Sequence, residues 1–228
     1  MFNKLNYLQQ EITNWFHVHG RTFPWREENR TQYERIIAEL LLQRTRAETV
    51  ALHFSGFIKK FYSWERIAAC SVEELEIELR PMGLWKRRTT SLLQLANSIL
   101  NYDGNFPTTR QEIENLPGIG QYLCNAIFLI CFDKPEPLLD VNFMRIIDRY
   151  FDLPRKVDFR YDDSIQKLAR NIVSYNSPLV MNYALLDYGA LVCKKKSPLC
   201  DKCVLKSHCS YLKIINESIK KFEVLDCE

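Results

Sequence analysis

Four cysteines near the end of the chain, Cys193, Cys200, Cys203 and Cys209, follow the spacing C-x6-C-x2-C-x5-C. Thiolates this close in sequence can enclose one metal centre, and a soft four-sulfur site suits zinc or an iron–sulfur cluster. A zinc ribbon usually shows two C-x2-C knuckles and this loop has one; the chemistry alone leaves both metals open. Disulfides are the bland alternative, disfavoured in a reducing compartment. His208 reads as a surface neighbour of Cys209 rather than a ligand. Lys194, Lys195 and Lys196 follow the first cysteine, as a solvated run or as contacts for phosphate.

A second group could bind an anion. In Leu116-Pro117-Gly118-Ile119-Gly120, Pro117 ends one helix, and Gly118 and Gly120 permit a tight turn with close backbone approach. The N–H groups that open the next helix then point outward, which suits a DNA phosphate; an ordinary helix–helix turn is the plain alternative. Two carboxylates stand out. Asp140, before Val141 and Asn142, reads as a helix N-cap. Glu39 lies off the apolar stripe of its helix and, on pattern alone, reads as a solvated glutamate.

The elements that must position these groups read as helices almost throughout. Ile36, Ile37, Leu40 and Leu41 make one helical stripe; Leu92, Leu93, Ala96, Ile99 and Leu100 make another. Ile165, Leu168, Ala169 and Ile172 repeat the spacing. Ser71 with Glu74, and Thr109 with Glu112, form capping boxes. Tyr122 to Phe132 is almost wholly apolar and predicts a central buried helix, with Cys124 and Cys131 as packing residues. No stretch alternates long enough for a sheet, and the charged residues from about Ile214 are expected to fray. The fold class is all-α. Among 228 residues, 46% are apolar, enough for a sizeable core, and only seven are glycine, which argues against Gly-rich nucleotide loops. A net charge of +3, from 31 Lys and Arg against 28 Asp and Glu, permits nucleic-acid binding without demanding it. No apolar run is long enough to span a membrane and no signal peptide opens the chain, so a cytoplasmic protein is expected.

The cysteine spacing, with the Leu116–Gly120 turn about 75 residues upstream, resembles the endonuclease III and adenine glycosylase superfamily of helix-hairpin-helix DNA glycosylases. Leu138-Leu139-Asp140-Val141-Asn142-Phe143-Met144-Arg145 resembles that family's V-D-x-N-V-x-R segment, whose aspartate is catalytic. Phe23-Pro24-Trp25-Arg26 and Ala38-Glu39-Leu40-Leu41-Leu42-Gln43-Arg44-Thr45 resemble the L-P-W-R and S-E-x-M-L-Q-Q-T of adenine glycosylases. The resemblance spans roughly residues 5–212. It implies a two-lobed fold: a six-helix barrel over 20–134 and an iron–sulfur lobe built from 1–19 and 135–212, followed by a tail over 213–228. It implies a [4Fe–4S] cluster on Cys193, Cys200, Cys203 and Cys209, acting as a structural staple whose loop offers Lys194 and Lys195 to DNA. Glu39, Tyr122 and Asp140 are expected to be catalytic and to meet in a cleft between lobes. Gln43 and Arg44 are expected at the gap left by an extruded base and Leu84 as an intercalating wedge. Lys86, Arg87 and Arg88 are expected along phosphate, and Gly118 and Gly120 in the hairpin.

Tyr122 selects among the branches. Endonuclease III members carry lysine there, a Schiff-base nucleophile that nicks the strand; adenine glycosylases usually carry serine. Tyrosine resembles the branch that removes thymine or uracil mispaired with guanine. Arg44, where adenine glycosylases repeat glutamine, and a chain that stops soon after the cysteines point the same way. The expected activity is a monofunctional glycosylase of base excision repair: a monomer, nucleoid-associated, acting on duplex DNA with a mismatched or damaged base. Cleaving the N-glycosidic bond builds positive charge on the sugar. Asp140 would stabilise that charge and help water add, while Glu39 and Tyr122 would assist departure of the base or recognise its carbonyls. Two alternatives stand: an adenine glycosylase acting on A opposite 8-oxoguanine or G, and a non-catalytic iron–sulfur DNA-binding regulator.

Overall fold

A computed structural model of the chain describes residues 2–153 and 162–225, and among them every regular element is helical. The chain divides into two compact units, one of Thr22–Lys134 and one of Met1–Arg21 with Pro135–Glu228.

The continuous unit holds α2 (Gln32–Leu42), α3 (Ala47–Lys60), α4 (Trp64–Ala68), α5 (Val72–Leu79), α6 (Trp85–Leu100), α7 (Arg110–Glu114) and α8 (Gln121–Cys131). α6 packs on α4 and α5, and α2 packs on α8 and α3. The expected stripes supply the core: Ile36, Ile37, Leu41, Leu92, Ala96 and Ile99 are buried with Phe54, Phe57 and Phe61. Each such side chain contributes roughly 1.5–3 kcal/mol of burial free energy. In the Phe23–Arg26 segment, Trp25 is buried and stacks on Phe23 with centroids 4.7 Å apart. α8 is the buried helix its composition predicts, with Cys124 fully buried. Cys131 is partly exposed, and burial still pushes its thiol up to about 12.

The discontinuous unit holds α1 (Phe2–His19), α9 (Val141–Phe151), α10 (Asp163–Val173), α11 (Pro178–Leu191) and α12 (Ser210–Leu225). α1 packs on α11 and α10, and α9 on α11 and α12. The end of α1 is pinned by a buried ion pair. The fully buried Asp187 carboxylate accepts from the Arg21 backbone N–H at 2.8 Å and from Arg21 Nε at 2.9 Å.

Two local expectations are corrected. Ser71 and Thr109 each cap their helix by accepting from the N3 backbone N–H. The reciprocal box, however, forms elsewhere, at Thr31 and Glu34, where Arg30 also pairs with Glu34 at 3.0 Å. The residues from Ile214 do not fray at once: α12 runs to Leu225, with Tyr211, Leu212 and Ile215 half-buried along one side. The last three tail residues, 226–228, lie outside the described residues. No helix among the described residues is long and apolar enough to cross a membrane.

Candidate active site and cysteine loop

Glu39 is not solvated. It is 3% exposed, between Ala38 and Leu40 on the buried side of α2. The stripe of α2 faces one neighbour, but α8 covers a second side of the helix, and Tyr122 in the first turn of α8 donates its hydroxyl to Glu39 Oε2 at 3.1 Å. The two residues come together from positions 83 apart in sequence. An acid and a phenol in hydrogen-bond contact can share a proton or present one to a substrate.

The turn before α8 is built as its glycines suggest. Gly118 has φ +76°, in the left-handed region, and a methyl there would sit 3.4 Å from Ser91 Cβ. Gly120 is the exposed N-cap of α8, with no side chain capping the helix and nothing within 4 Å of a Cβ placed there. The first N–H groups of α8 are therefore uncovered by any cap side chain, which suits an anion.

Gln43 and Arg44 are exposed at the end of α2, with Arg44 at φ 57°. Leu84 is 53% exposed at φ 50°, immediately before α6, an apolar side chain held out to solvent. Lys86 and Arg87 are exposed beside it. Arg88 is not available for phosphate, and the expectation for it is corrected. It is 8% exposed, and its guanidinium donates to the carbonyls of Leu41 at 2.6 Å and Gln43 at 3.0 Å and to Thr45 Oγ1 at 3.0 Å. The last carbonyls of α2 carry the negative end of the helix dipole, so a cation is well placed there.

Asp140 belongs to the discontinuous unit and is the N-cap of α9. Its Oδ1 accepts from the backbone N–H of Asn142 and of Phe143, both at 2.8 Å, and its Oδ2 accepts from Asn142 Nδ2 at 2.9 Å. Burial raises its pKa above the ordinary aspartate value, and those hydrogen bonds together with the charge of Arg145 pull against the rise. The expected N-cap is thus present. Two partners that the sequence did not single out hold it. Arg145 donates to Asn142 Oδ1 at 2.7 Å, which turns the amide so that its nitrogen faces Asp140, and to the carbonyls of Gly189 and Cys193. The fully buried Asn182 accepts from Leu138 N–H at 2.6 Å and donates to Glu136 O at 3.1 Å, fixing the approach to Asp140. A signal was available: Asn142 and Arg145 stand three residues apart on one helix, a spacing that brings side chains together.

The four loop cysteines lie in turns and short 3-10 segments after α11, half-buried, and no disulfide joins the described cysteines. Tyr188, buried in α11, donates its hydroxyl to Cys203 Sγ at 3.1 Å and accepts from Val204 N–H at 3.0 Å. Arg149 donates to Cys193 Sγ at 3.5 Å and to the carbonyls of Lys194 at 2.7 Å and Lys195 at 3.2 Å, while Lys194, Lys195 and Lys196 stay exposed. Burial raises the Cys200 and Cys203 thiols, and the nearby sulfurs of Cys209 and Cys193 act in the same direction, while the Tyr188 hydroxyl pulls Cys203 the other way. Among the described residues, no three His, Cys, Asp or Glu side chains gather tightly enough for a single metal ion.

The family model described as HhH-GPD superfamily base excision DNA repair protein matches residues 37–172. The chain is 33% identical over 202 residues to the thymine/uracil-DNA glycosylase of Methanothermobacter thermautotrophicus, covering 88% of this chain and 90% of that one. It is 32% identical over 215 residues to the adenine DNA glycosylase of Buchnera aphidicola subsp. Baizongia pistaciae, covering 89% of this chain and 58% of that one. The solved structure of a thermostable thymine-DNA glycosylase superposes with a TM-score of 0.86 at 31% identity, covering 92% of this chain and 97% of that one.

Proposed function

The chain belongs to the HhH-GPD superfamily of base excision DNA repair proteins, and on that footing we propose that it is a monofunctional DNA glycosylase that removes thymine or uracil mispaired with guanine. The contact between Tyr122 and Glu39 carries the reading. It sets a phenol where a strand-nicking relative would set an amine, so water completes the reaction. The base is flipped from the duplex, with Gln43 and Arg44 at the gap, Leu84 as wedge, and phosphates held by Lys86, Arg87, the Gly118–Gly120 turn and Lys194 with Lys195. The bond between the sugar C1′ and the base nitrogen breaks with its electron pair leaving on the base. Glu39 and Tyr122 hydrogen-bond the departing base. Asp140 stabilises the positive sugar, and as water adds at C1′ its proton passes to Asp140. An abasic site remains, and the base anion takes up, through solvent, the proton that Asp140 releases and leaves as the free base.

The donor set of the cysteine loop fits a [4Fe–4S] cluster on Cys193, Cys200, Cys203 and Cys209. Four cysteines in one loop, spaced C-x6-C-x2-C-x5-C, are soft thiolate donors of the kind that hold an iron–sulfur cluster, with zinc as the alternative occupant. When bound, the cluster would supply a staple for the loop; the reaction above needs no electron from it. The enzyme would act as a monomer.

A single-turnover panel tests the activity. Duplexes with G·T, G·U and A·8-oxoguanine are assayed with and without alkali. Excision from G·T and G·U, with strand breaks only after alkali, is the expected result. Adenine removal with G·T and G·U untouched would instead establish the second reading, which the likeness to the Buchnera adenine glycosylase favours. Tight duplex binding with no excision on any substrate would leave a DNA-binding regulator.

A further inference from the structure

Arg88 and Thr45 join the two exposed segments that carry Gln43 and Leu84. The Arg88 guanidinium holds the carbonyls of Leu41 and Gln43 and the hydroxyl of Thr45. That hydroxyl passes the connection on, donating to Met82 O at 2.9 Å, two residues before Leu84. One buried cation and one hydroxyl thus tie the end of α2 to the turn that opens α6. Both tied segments contain a non-glycine residue in the left-handed region, Arg44 at φ 57° and Leu84 at φ 50°. Such conformations are strained for residues with a Cβ and persist only where the surroundings over-determine them. Arg44 and Leu84 are themselves exposed, as is Gln43, so each left-handed turn aims a side chain outward.

We propose that Arg88 and Thr45 form one positioning clamp that holds Gln43 and Leu84 at a fixed spacing for joint entry into duplex DNA, and that the clamp governs base extrusion rather than bond cleavage. This rests on the reading of Gln43 and Leu84 as the inserting residues. Neither Arg88, which is buried, nor Thr45, whose hydroxyl is spent at both ends, touches the substrate. Both are positioning residues. A misplacement of an ångström in such a pair weakens the extruded state, which the enzyme must populate before chemistry, and leaves DNA binding through phosphate unaffected.

The test compares one strand in two settings: uracil opposite guanine in a full duplex, and uracil within a short unpaired bubble where extrusion costs little. Thr45→Val keeps shape and removes both hydrogen bonds; Arg88→Lys keeps charge and loses the fork. Single-turnover excision, duplex affinity and 2-aminopurine fluorescence beside the target are read for each. Loss of about tenfold or more on the paired target, with less than about threefold change on the bubble and in affinity, is expected. The fluorescence rise that reports extrusion should fall in parallel. Gln43→Ala and Leu84→Ala serve as references on the same substrates. Should the references show the pair-selective loss while Thr45→Val and Arg88→Lys lose both substrates equally or neither, the clamp is refuted and the insertion reading stands. Should the references show no pair-selective loss, the insertion reading fails and the clamp falls with it. Thr45→Val keeps the question open to measurement if the arginine variant does not fold.

Discussion

Asp140 is held between opposing demands. Burial favours its neutral form, and three hydrogen-bond donors with Arg145 nearby favour its charged form, with a net rise above the ordinary aspartate value. An acid whose folded pKa lies above its unfolded one binds more protons in the native state between the two values. Native stability therefore falls as pH rises through that window. Asp140→Asn retains a good N-cap residue and removes the charge. Its melting temperature is expected to equal or exceed the parent at neutral pH, with the difference vanishing below the unfolded pKa. Its excision should drop by about 3 kcal/mol or more in barrier, while duplex affinity is unchanged; near-native excision would reduce Asp140 to a cap. The parent should lose activity on the acid side as Asp140 gains its proton. Tyr122→Lys places an amine beside Glu39 and is expected to gain strand nicking and borohydride trapping on DNA. An absence of trapping would count against Tyr122 at the reacting sugar. Residue types were legible in the sequence at both positions and their partners were not. Glu39 looked solvated because one stripe marks only the face turned to one neighbour, and nothing in α2 announces that α8 covers another.

At the scale of the helix, α9 and α11 are matched at one point. A Cβ placed on Gly189 would lie 2.6 Å from Asn142 Cβ and 3.0 Å from Asn142 O. Asn142 is the residue that faces Asp140, and Arg145 reaches the Gly189 carbonyl from the next turn of α9. Gly189→Ala must push the two helices apart. The expected cost is about 1–3 kcal/mol in stability, with excision lost beyond that share because Asn142 moves under the carboxylate. Denaturant melts and single-turnover rates on one preparation separate the two effects; unchanged rates in a destabilised variant would show that Asp140 is held without Asn142. α2, α6 and α10 followed from their apolar stripes and α8 from its apolar run, whereas α3, α9 and α11 were not marked out by any stripe that was read. The capping boxes were half legible: Ser71 and Thr109 were identified, but the reciprocal pair formed at Thr31 and Glu34. The fate of α12 was not legible, because its residues are polar enough to fray and only the packing of α9 against it gives them a side to cover.

For the whole molecule, the cysteine loop is the feature most dependent on something outside the helices. Its turns are short, its sulfurs are half-buried, and Tyr188 and Arg149 reach into it from α11 and α9. With a cluster bound, purified protein is expected to be yellow-brown with about four irons per chain. Cys203→Ser should lose the iron and lower the melting temperature, read by iron assay, visible absorbance and calorimetry. Anaerobically purified protein carrying stoichiometric zinc and no iron would overturn the cluster. The all-helical class was legible from composition and period. The partition of the chain came from resemblance: Gly20 and the Pro135–Pro137 run mark chain breaks near the two junctions, but nothing in them says that the first helix joins the last ones.

The pin between Arg21 and Asp187 has a consequence for the order in which the protein is made. α1 leaves the ribosome before α2 to α8 but belongs with α9 to α12, which leave after them. The stretch Thr22–Lys134 is complete in between and can condense while α1 waits without a partner. A nascent chain arrested once Lys134 has cleared the ribosome should therefore protect α2 to α8 from protease and leave α1 open to cleavage. Protection of α1 at that stage would mean that it has found another surface. On this order the Gly118–Gly120 turn and Leu84 emerge before Asp140, and the four loop cysteines come later still. Under the roles proposed above, the growing chain would hold its DNA contacts before its means of breaking a bond, and α1 is fastened only once Asp187 has followed.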